Sequence, residues 1–400
     1  MYEVKIERLD HQGRGICKVN NIITFVPNAL IDEVVCIKLT EKRKKYNVGK
    51  VIKYIKTSSL RANPICPYYE LCGGCDLMHL SYIEQLKYKQ DKIKNIFFKY
   101  TNIDTALIND IVYDKEYNYR NKGTFKVNGK IGYYQKSSHD VIPIDKCYLV
   151  SNKINEVLRL LNKCTLKNIT EIIIKSSDRE ILVIFKGEKM TKEIIDILKD
   201  KVTGIVLFNK KYQLIYGKEK IENKIGEYKF LVSPEAFFQV NNNIAHKMYD
   251  KVASYLNNEN TVLDLYSGTG SIGIYISKRV KKIISVELNK FASNDALENK
   301  KINNISNIDF ICDDVANVID TFSNIDTVIV DPPRSGLDNK TVDYLKKICS
   351  KNIIYVSCDP LTLARDVKKL SDTYIVKELT PFDMFPNTYH VECVCLLNLI

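Results

Sequence analysis

The sequence predicts an α/β protein with a Rossmann-like C-terminal domain from about residue 231, an N-terminal OB-like β-barrel over residues 1–57, and a central α+β domain over 58–230. Three observations predict it. The stretch Val262-Leu263-Asp264-Leu265-Tyr266-Ser267-Gly268-Thr269-Gly270-Ser271-Ile272-Gly273 runs from an apolar strand through two close glycines into a helical pattern. Strand and helix patterns alternate from there to the C-terminus, as in a parallel sheet. The first 57 residues instead hold five short alternating segments, 3–6, 13–19, 22–27, 33–39 and 46–52, punctuated by glycine and Asn-Asn turns. A chain of 400 residues suits two or three such domains.

Within the barrel segment, Lys42, Arg43, Lys44 and Lys45 fall between strands, and Lys50, Lys53 and Lys56 follow. One loop and one edge are therefore strongly positive, which suits contact with an RNA backbone. The formal net charge of +12 also favours a polyanionic partner. No apolar run approaches the roughly 18 residues that span a bilayer, and no export signal is evident. The expected setting is the cytoplasm, with no membrane partner, and the expected state is a monomer.

Twelve cysteines in such a chain point to thiols, a metal or catalysis rather than to a disulfide framework. Cys66, Cys72 and Cys75 share one glycine-containing loop, and Cys147 lies in a loop-like segment downstream. Three thiolates with a distant fourth can close a tetrahedral four-sulfur site. Structural zinc usually shows two paired Cys-x-x-Cys knuckles and only one pair exists here, so an iron–sulfur cluster is favoured over zinc.

Residues 79–100 carry a helical period, with Leu80, Ile83, Leu86, Ile93, Ile96 and Phe97 on one side. Gln85, Lys87, Lys89, Lys92 and Lys94 fall on the other, expected to be a solvated or RNA-facing surface. Short strands and two helices, near 151–163 and 190–200, follow. Tyr119-Arg120-Asn121-Lys122 stands out as a polar cluster at a strand start.

In the C-terminal domain the glycines at 268, 270 and 273 also satisfy a dinucleotide fingerprint, so their spacing alone does not choose a cofactor. Glu287 ends the next strand, where a carboxylate can accept ribose hydroxyls of either NAD or S-adenosylmethionine (SAM). Asp331-Pro332-Pro333-Arg334, after an apolar strand, favours SAM, because such turns hold a target beside a methyl donor. Cys358 lies at the carboxyl end of the strand 352–357, where ligands bind in open α/β sheets. Glu392 lies in an otherwise apolar segment, where a carboxylate is costly unless it faces a site. His390 competes as a base, because it is expected two residues earlier on the same strand. Cys312, Cys349, Cys393 and Cys395 are expected to be ordinary buried cysteines.

Taken together, these motifs resemble the RNA 5-methyluridine (uracil-C5) methyltransferase family, specifically its 23S ribosomal-RNA members with an N-terminal TRAM barrel. The resemblance rests on Phe25-Val26-Pro27, the four cysteines, Tyr119-Arg120-Asn121-Lys122, Phe238-Gln239-Val240-Asn241, the 264–270 turn, Asp331-Pro332-Pro333-Arg334, Ser357-Cys358-Asp359-Pro360 and His390-Val391-Glu392. It implies a SAM-dependent methyltransferase domain, with Cys358 as nucleophile and Glu392 as proton-abstracting base. By the same resemblance Gln239, Tyr266, Gly268, Gly270, Glu287 and Asp331 contact SAM, and Asp313 or Asp314 lies near the adenine, Asp314 being preferred. Cys66, Cys72, Cys75 and Cys147 would hold a [4Fe-4S] cluster. The implied partner is 23S rRNA, with tRNA as the alternative. An iron–sulfur RNA-binding protein without methylation activity is the rival from another class.

Overall fold

The computed structural model describes residues 1–400. The chain divides into two compact units: one of Met1–Lys92, Tyr134–Asp140 and Phe385–His390, the other of Ile93–Tyr133, Val141–Met384 and Val391–Ile400.

In the first unit, six strands form one sheet in the order Tyr2–Lys5, Val34–Lys42, Asn47–Lys56, Ile22–Val26, Gly15–Val19, Arg8–Leu9. Five strands were expected. The sixth, Arg8–Leu9, is two residues long and too short to show alternation. Val4, Ile6, Cys17, Val19, Val26, Val35 and Ile37 form the core. The basic loop Lys42 to Lys45 is exposed, as are Lys50, Lys53 and Lys56.

The helix Tyr82–Thr101 begins in this unit, and its basic side departs from expectation. Gln85 and Lys89 are fully buried, while Ile83 on the expected apolar side is 68% exposed. Local backbone explains it. Lys89 Nζ donates to Phe385 O at 3.0 Å and Lys92 Nζ to Tyr389 O at 2.8 Å. Gln85 accepts from the Asn387 amide at 2.9 Å and donates to Leu80 O. The two lysines satisfy carbonyls of the segment Phe385–His390 and Gln85 its Asn387 amide, a demand no helical period can announce.

The second unit holds two seven-stranded sheets and a hairpin, Ile221–Ile225 with Tyr228–Val232. One sheet runs in the order Lys211–Gly217, Gly204–Asn209, Ile181–Gly187, Ile169–Ser176, Lys122–Asn128, Lys130–Tyr134, Val141–Pro143. The other is the Rossmann-like sheet, in the order Ile308–Cys312, Lys282–Glu287, Thr261–Leu265, Thr327–Val330, Asn352–Ser357, Glu392–Leu399, Tyr374–Phe382. Its first five strands are parallel, and the inner three, Thr261–Leu265, Thr327–Val330 and Asn352–Ser357, are nearly all buried and read as mainly apolar runs, while the outer Ile308–Cys312 is largely not buried. The final strand inserts antiparallel beside Asn352–Ser357 instead of adding at the edge. Helices start where short polar side chains cap them, Asn241 before Asn242–Ala253 and Asp359 before Pro360–Leu370 among them. No helix is long and apolar enough to cross a membrane.

Candidate active site

The carboxyl ends of the parallel strands collect most of the expected site residues, at the crevice where ligands of open α/β sheets bind. Strand Thr261–Leu265 ends in a turn in which Tyr266, Gly268 and Gly270 all have positive φ, at 63°, 56° and 74°. Nothing lies within 4 Å of where a Gly268 Cβ would be, so the turn faces open space there. A Gly270 Cβ would fall 2.7 Å from the Phe310 ring. Gly270→Ala is therefore expected to destabilise the fold by about 1–3 kcal/mol, from left-handed backbone and overpacking together. A melting curve that matches wild type, with or without SAM, would refute this account of the turn.

Glu287 is held ready by backbone. Its Oε2 accepts from Gly268 N at 2.8 Å and its Oε1 from Asn289 N at 2.7 Å, which fixes the carboxylate at the strand end. Beneath the turn, Asp264 is fully buried; Ser285 Oγ donates to its Oδ2 at 3.3 Å, and its Oδ1 has no partner. Burial pushes its pKa up to about 7, with the Asp331 and Glu287 charges adding to the shift. Ser267 Oγ is likewise buried without a partner. Open glycine, a fixed carboxylate and orphaned polar atoms fit a cofactor with a ribose and a charged amino-acid tail.

Tyr266 turns its hydroxyl toward Asp338 and Thr341, at 3.3 and 3.2 Å. Asp314 is exposed and caps the short helix Val315–Val318 through Ala316 N at 2.9 Å, while Asp313 accepts from Asp314 N and Asn317 Nδ2. Gln239 is buried; its carbonyl accepts from Asn121 Nδ2 at 2.8 Å and its side chain lies beside the Tyr249 hydroxyl.

The reactive corner lies two strands away. Ser357 pairs with Cys393 in the antiparallel register, which sets Cys358 opposite Glu392, the first residue of its strand. Asp359, bonded to the N–H groups of Leu361 and Thr362, fixes the turn behind the thiol. Glu392 is 6% exposed; burial, and then the Asp331 charge, push its pKa up to about 8 against the opposing pull of Arg334. Burial also lifts Asp331, to about 7. Cys358 is half-buried, and its pKa rises to about 11 through burial and the Glu392 and Asp331 charges, with Arg334 pulling it back. Three acids and one guanidinium thus share one spot, and Arg334 is the one cation felt by both Cys358 and Glu392. The sequence motif contained Arg334 without revealing that role.

His390 does not share the strand with Glu392. The strand starts at Glu392, and His390 belongs to the segment Phe385–His390 of the first unit. Cys312 and Cys349 are exposed, contrary to expectation, because one ends an outer strand and the other is a left-handed helix cap. Cys393 and Cys395 are buried as expected.

Cys66, Cys72 and Cys75, none in a disulfide, are of intermediate burial in the first unit, and Cys147 is so in the second. Gly73 N donates to Tyr134 O at 3.0 Å and Gly74 N to Cys72 Sγ at 3.4 Å. The donor chemistry suits a metal or cluster, yet no three or more His, Cys, Asp or Glu side chains form a group that could hold a metal ion.

Residues 81–400 match the tRNA (Uracil-5-)-methyltransferase family and residues 1–52 the TRAM domain. An uncharacterized RNA methyltransferase of Caldanaerobacter subterraneus subsp. tengcongensis is 35% identical, over 99% of this chain and 98% of its own length. One from Clostridium tetani is 32% identical, over 99% and 96%. The crystal structure of Pyrococcus abyssi tRNA (uracil-54, C5)-methyltransferase in complex with S-adenosyl-L-homocysteine superposes with a TM-score of 0.81 and 28% identity, covering 99% of this chain and 100% of that one. The chain belongs to the tRNA (uracil-5-)-methyltransferase family and is a SAM-dependent RNA uracil-C5 methyltransferase with an N-terminal TRAM domain.

Proposed function

We propose that this enzyme methylates C5 of a uridine in 23S ribosomal RNA through a covalent adduct between Cys358 and C6 of the base. The observation that carries the chemistry is the register that sets Cys358 opposite a buried Glu392, beside Asp331 and Arg334. Uracil C5 is too weak a nucleophile to take a methyl group directly. Addition of the Cys358 thiolate to C6 makes C5 the carbon of an enolate. SAM, when bound, supplies the methyl group as a sulfonium electrophile. Glu392 then removes the C5 proton, and elimination expels the thiolate and restores the C5–C6 double bond. Reaching both faces of the base requires the uridine to leave its stack.

In this reading Gln239, Tyr266, Gly268, Gly270, Glu287 and Asp331 line the cofactor site, with Asp314 on the adenine side. Glu287, held by two backbone amides, suits the ribose hydroxyls. Cys66, Cys72, Cys75 and Cys147 are the ligands of a [4Fe-4S] cluster. What supports this is four partly buried cysteines outside any disulfide and an amide already donating to one sulfur. With none of the twelve cysteines in a disulfide, the enzyme suits the reducing cytoplasm, where it would act as a monomer.

The second reading keeps the chemistry and changes the partner to tRNA. The full-length match to the Pyrococcus abyssi tRNA enzyme favours it, because that match takes in the barrel residues on which the rRNA assignment leaned. Nucleoside mass spectrometry decides between them, with anaerobically purified enzyme and deuterated-methyl SAM given separately to unmodified 23S rRNA and unmodified tRNA. Label in 5-methyluridine from rRNA alone is the expected result. Label from tRNA alone moves the partner, and label from neither overturns the enzymatic reading in favour of an iron–sulfur RNA-binding protein. The same preparation should contain iron and sulfide and absorb in the visible; zinc without colour would overturn the cluster assignment.

A further inference from the structure

The turn that delivers Gln239 to the cofactor crevice is held by Asn121 and by two residues outside every motif, Asp295 and Lys175. Its segment, Ser233 to Asn241, leaves the hairpin strand Tyr228–Val232 and enters the helix Asn242–Ala253 with no regular structure of its own. Backbone without a ladder must find partners elsewhere. One comes from Asp295, whose Oδ2 accepts from Ser233 N at 2.9 Å. Two come from Asn121, whose amide donates to Val240 O at 2.8 Å and whose side chain donates to Gln239 O at 2.8 Å.

The remaining partner is Lys175, at the end of the strand Ile169–Ser176. This lysine is 5% exposed, and its ammonium donates to Ser233 O at 2.7 Å and to Ala236 O at 3.0 Å. No carboxylate forms an ion pair with it. Across the sheet it faces another cation, since Lys175 pairs with Lys122 in register. A lysine buried opposite another lysine, its pKa lowered to about 7 by burial and then by the Lys122 charge, is an expensive way to fill space. Its two bonds give it a specific task, because they bracket the bend Ser233-Pro234-Glu235-Ala236. That bend sets the directions of the next residues: Phe237 is 67% exposed, and Gln239 is 8% exposed. Inward, Gln239 lies beside the Tyr249 hydroxyl, and Tyr249 bonds Ser271 Oγ at 2.8 Å, at the first turn of the helix that follows the cofactor glycines. The Lys175 bonds to the bend and the Tyr249–Ser271 bond thus flank Gln239 between the central sheet and the cofactor turn.

We infer that Lys175 is a positioning residue for SAM binding, acting through Gln239 by clamping the Ser233–Ala236 bend. The inference rests on the reading of Gln239 as a cofactor contact. Glutamine placed a fraction of an ångström away loses hydrogen-bond geometry steeply, so the effect should be carried by affinity for SAM. Catalysis at saturating SAM should be nearly untouched, because Lys175 stands on a different sheet from Cys358 and Glu392 and its charge is not among those that shift either group.

The test is a double-mutant cycle on SAM affinity by calorimetry, using the full-length enzyme with Lys175→Met, Gln239→Ala and both together. Each single variant should weaken SAM about tenfold. The double variant should be no more than about twofold weaker than Gln239→Ala, with kcat at saturating SAM within about threefold of wild type for Lys175→Met. Lys175→Arg, which keeps the donors, should recover part of the affinity. If Gln239→Ala weakens SAM but Lys175→Met does not, the inference fails and the reading of Gln239 stands. If the two losses multiply, Lys175 acts independently of Gln239 and the inference fails. If Gln239→Ala binds SAM like wild type, the reading of Gln239 fails and takes the inference with it. Should Lys175→Met not fold, Asn121→Ala substitutes for it, since Asn121 holds the same segment from its other end; multiplying losses there would overturn the clamp as well.

Discussion

Cys358→Ala is expected to abolish 5-methyluridine formation, by a factor on the order of 10⁴ or more, while leaving SAM affinity within about twofold of wild type. The size of the effect follows from the chemistry. Without a thiolate at C6 there is no enolate, and no other side chain in the corner replaces it: the nearest groups are the carboxylates of Glu392 and Asp331 and the Arg334 guanidinium. The free enzyme keeps the thiol protonated at neutral pH, since burial and two flanking acids hold its pKa near 11. Ionisation must therefore accompany substrate and cofactor binding. A sulfonium beside Asp331 would oppose the negative field and lower the thiol pKa, so alkylation of Cys358 should be faster with SAM bound than without it. A Cys358→Ala enzyme that methylated RNA at the wild-type rate would remove the covalent mechanism, whatever the RNA.

Much of this corner was legible in the sequence, and the parts that were not share a physical cause. Strand identity could be read from apolar runs, because parallel strands buried on both faces need Val, Ile and Leu throughout: Lys282–Glu287, Thr327–Val330 and Asn352–Ser357 stand where expected. Strand order could not. That the last strand returns between Asn352–Ser357 and Tyr374–Phe382 is a non-local pairing, and the opposition of Cys358 and Glu392 follows from it alone. The same limit hid the fate of His390, assigned by spacing to a strand that begins two residues later. In the helix Tyr82–Thr101 the helical period placed Gln85 and Lys89 on a solvated or RNA-facing side, whereas the carbonyl of Phe385 and the amide of Asn387 draw them inside. Lys175 left one trace, a lysine closing an isoleucine run in Ile172-Ile173-Ile174-Lys175. A buried charge can be suspected from such a run, but the carbonyls it serves cannot.

Glu392→Gln should trap the reaction where Cys358→Ala never starts it. Glutamine keeps the shape and polarity of the side chain but cannot accept the C5 proton, so the base should be methylated and then held on Cys358. The expected readout is a denaturation-resistant RNA–protein species on a gel, carrying label from the SAM methyl group, with turnover reduced about 10²–10⁴-fold. Removing the carboxylate also removes one of the charges that raise the thiol pKa, so adduct formation itself should not slow. The pH dependence has a definite sign. With a pKa near 8, only about one-tenth of Glu392 is ionised at pH 7 in the free enzyme, by the proton balance of a single site. Release of the wild-type adduct should accelerate as pH rises from 6 toward 8, and a nearby sulfonium would shift that rise to lower pH. The glutamine variant lacks this titration, so its slow release should be flat over the same range. A Glu392→Gln enzyme that turned over normally, or accumulated no adduct while losing activity, would assign the base to another residue and leave the buried carboxylate as a structural group.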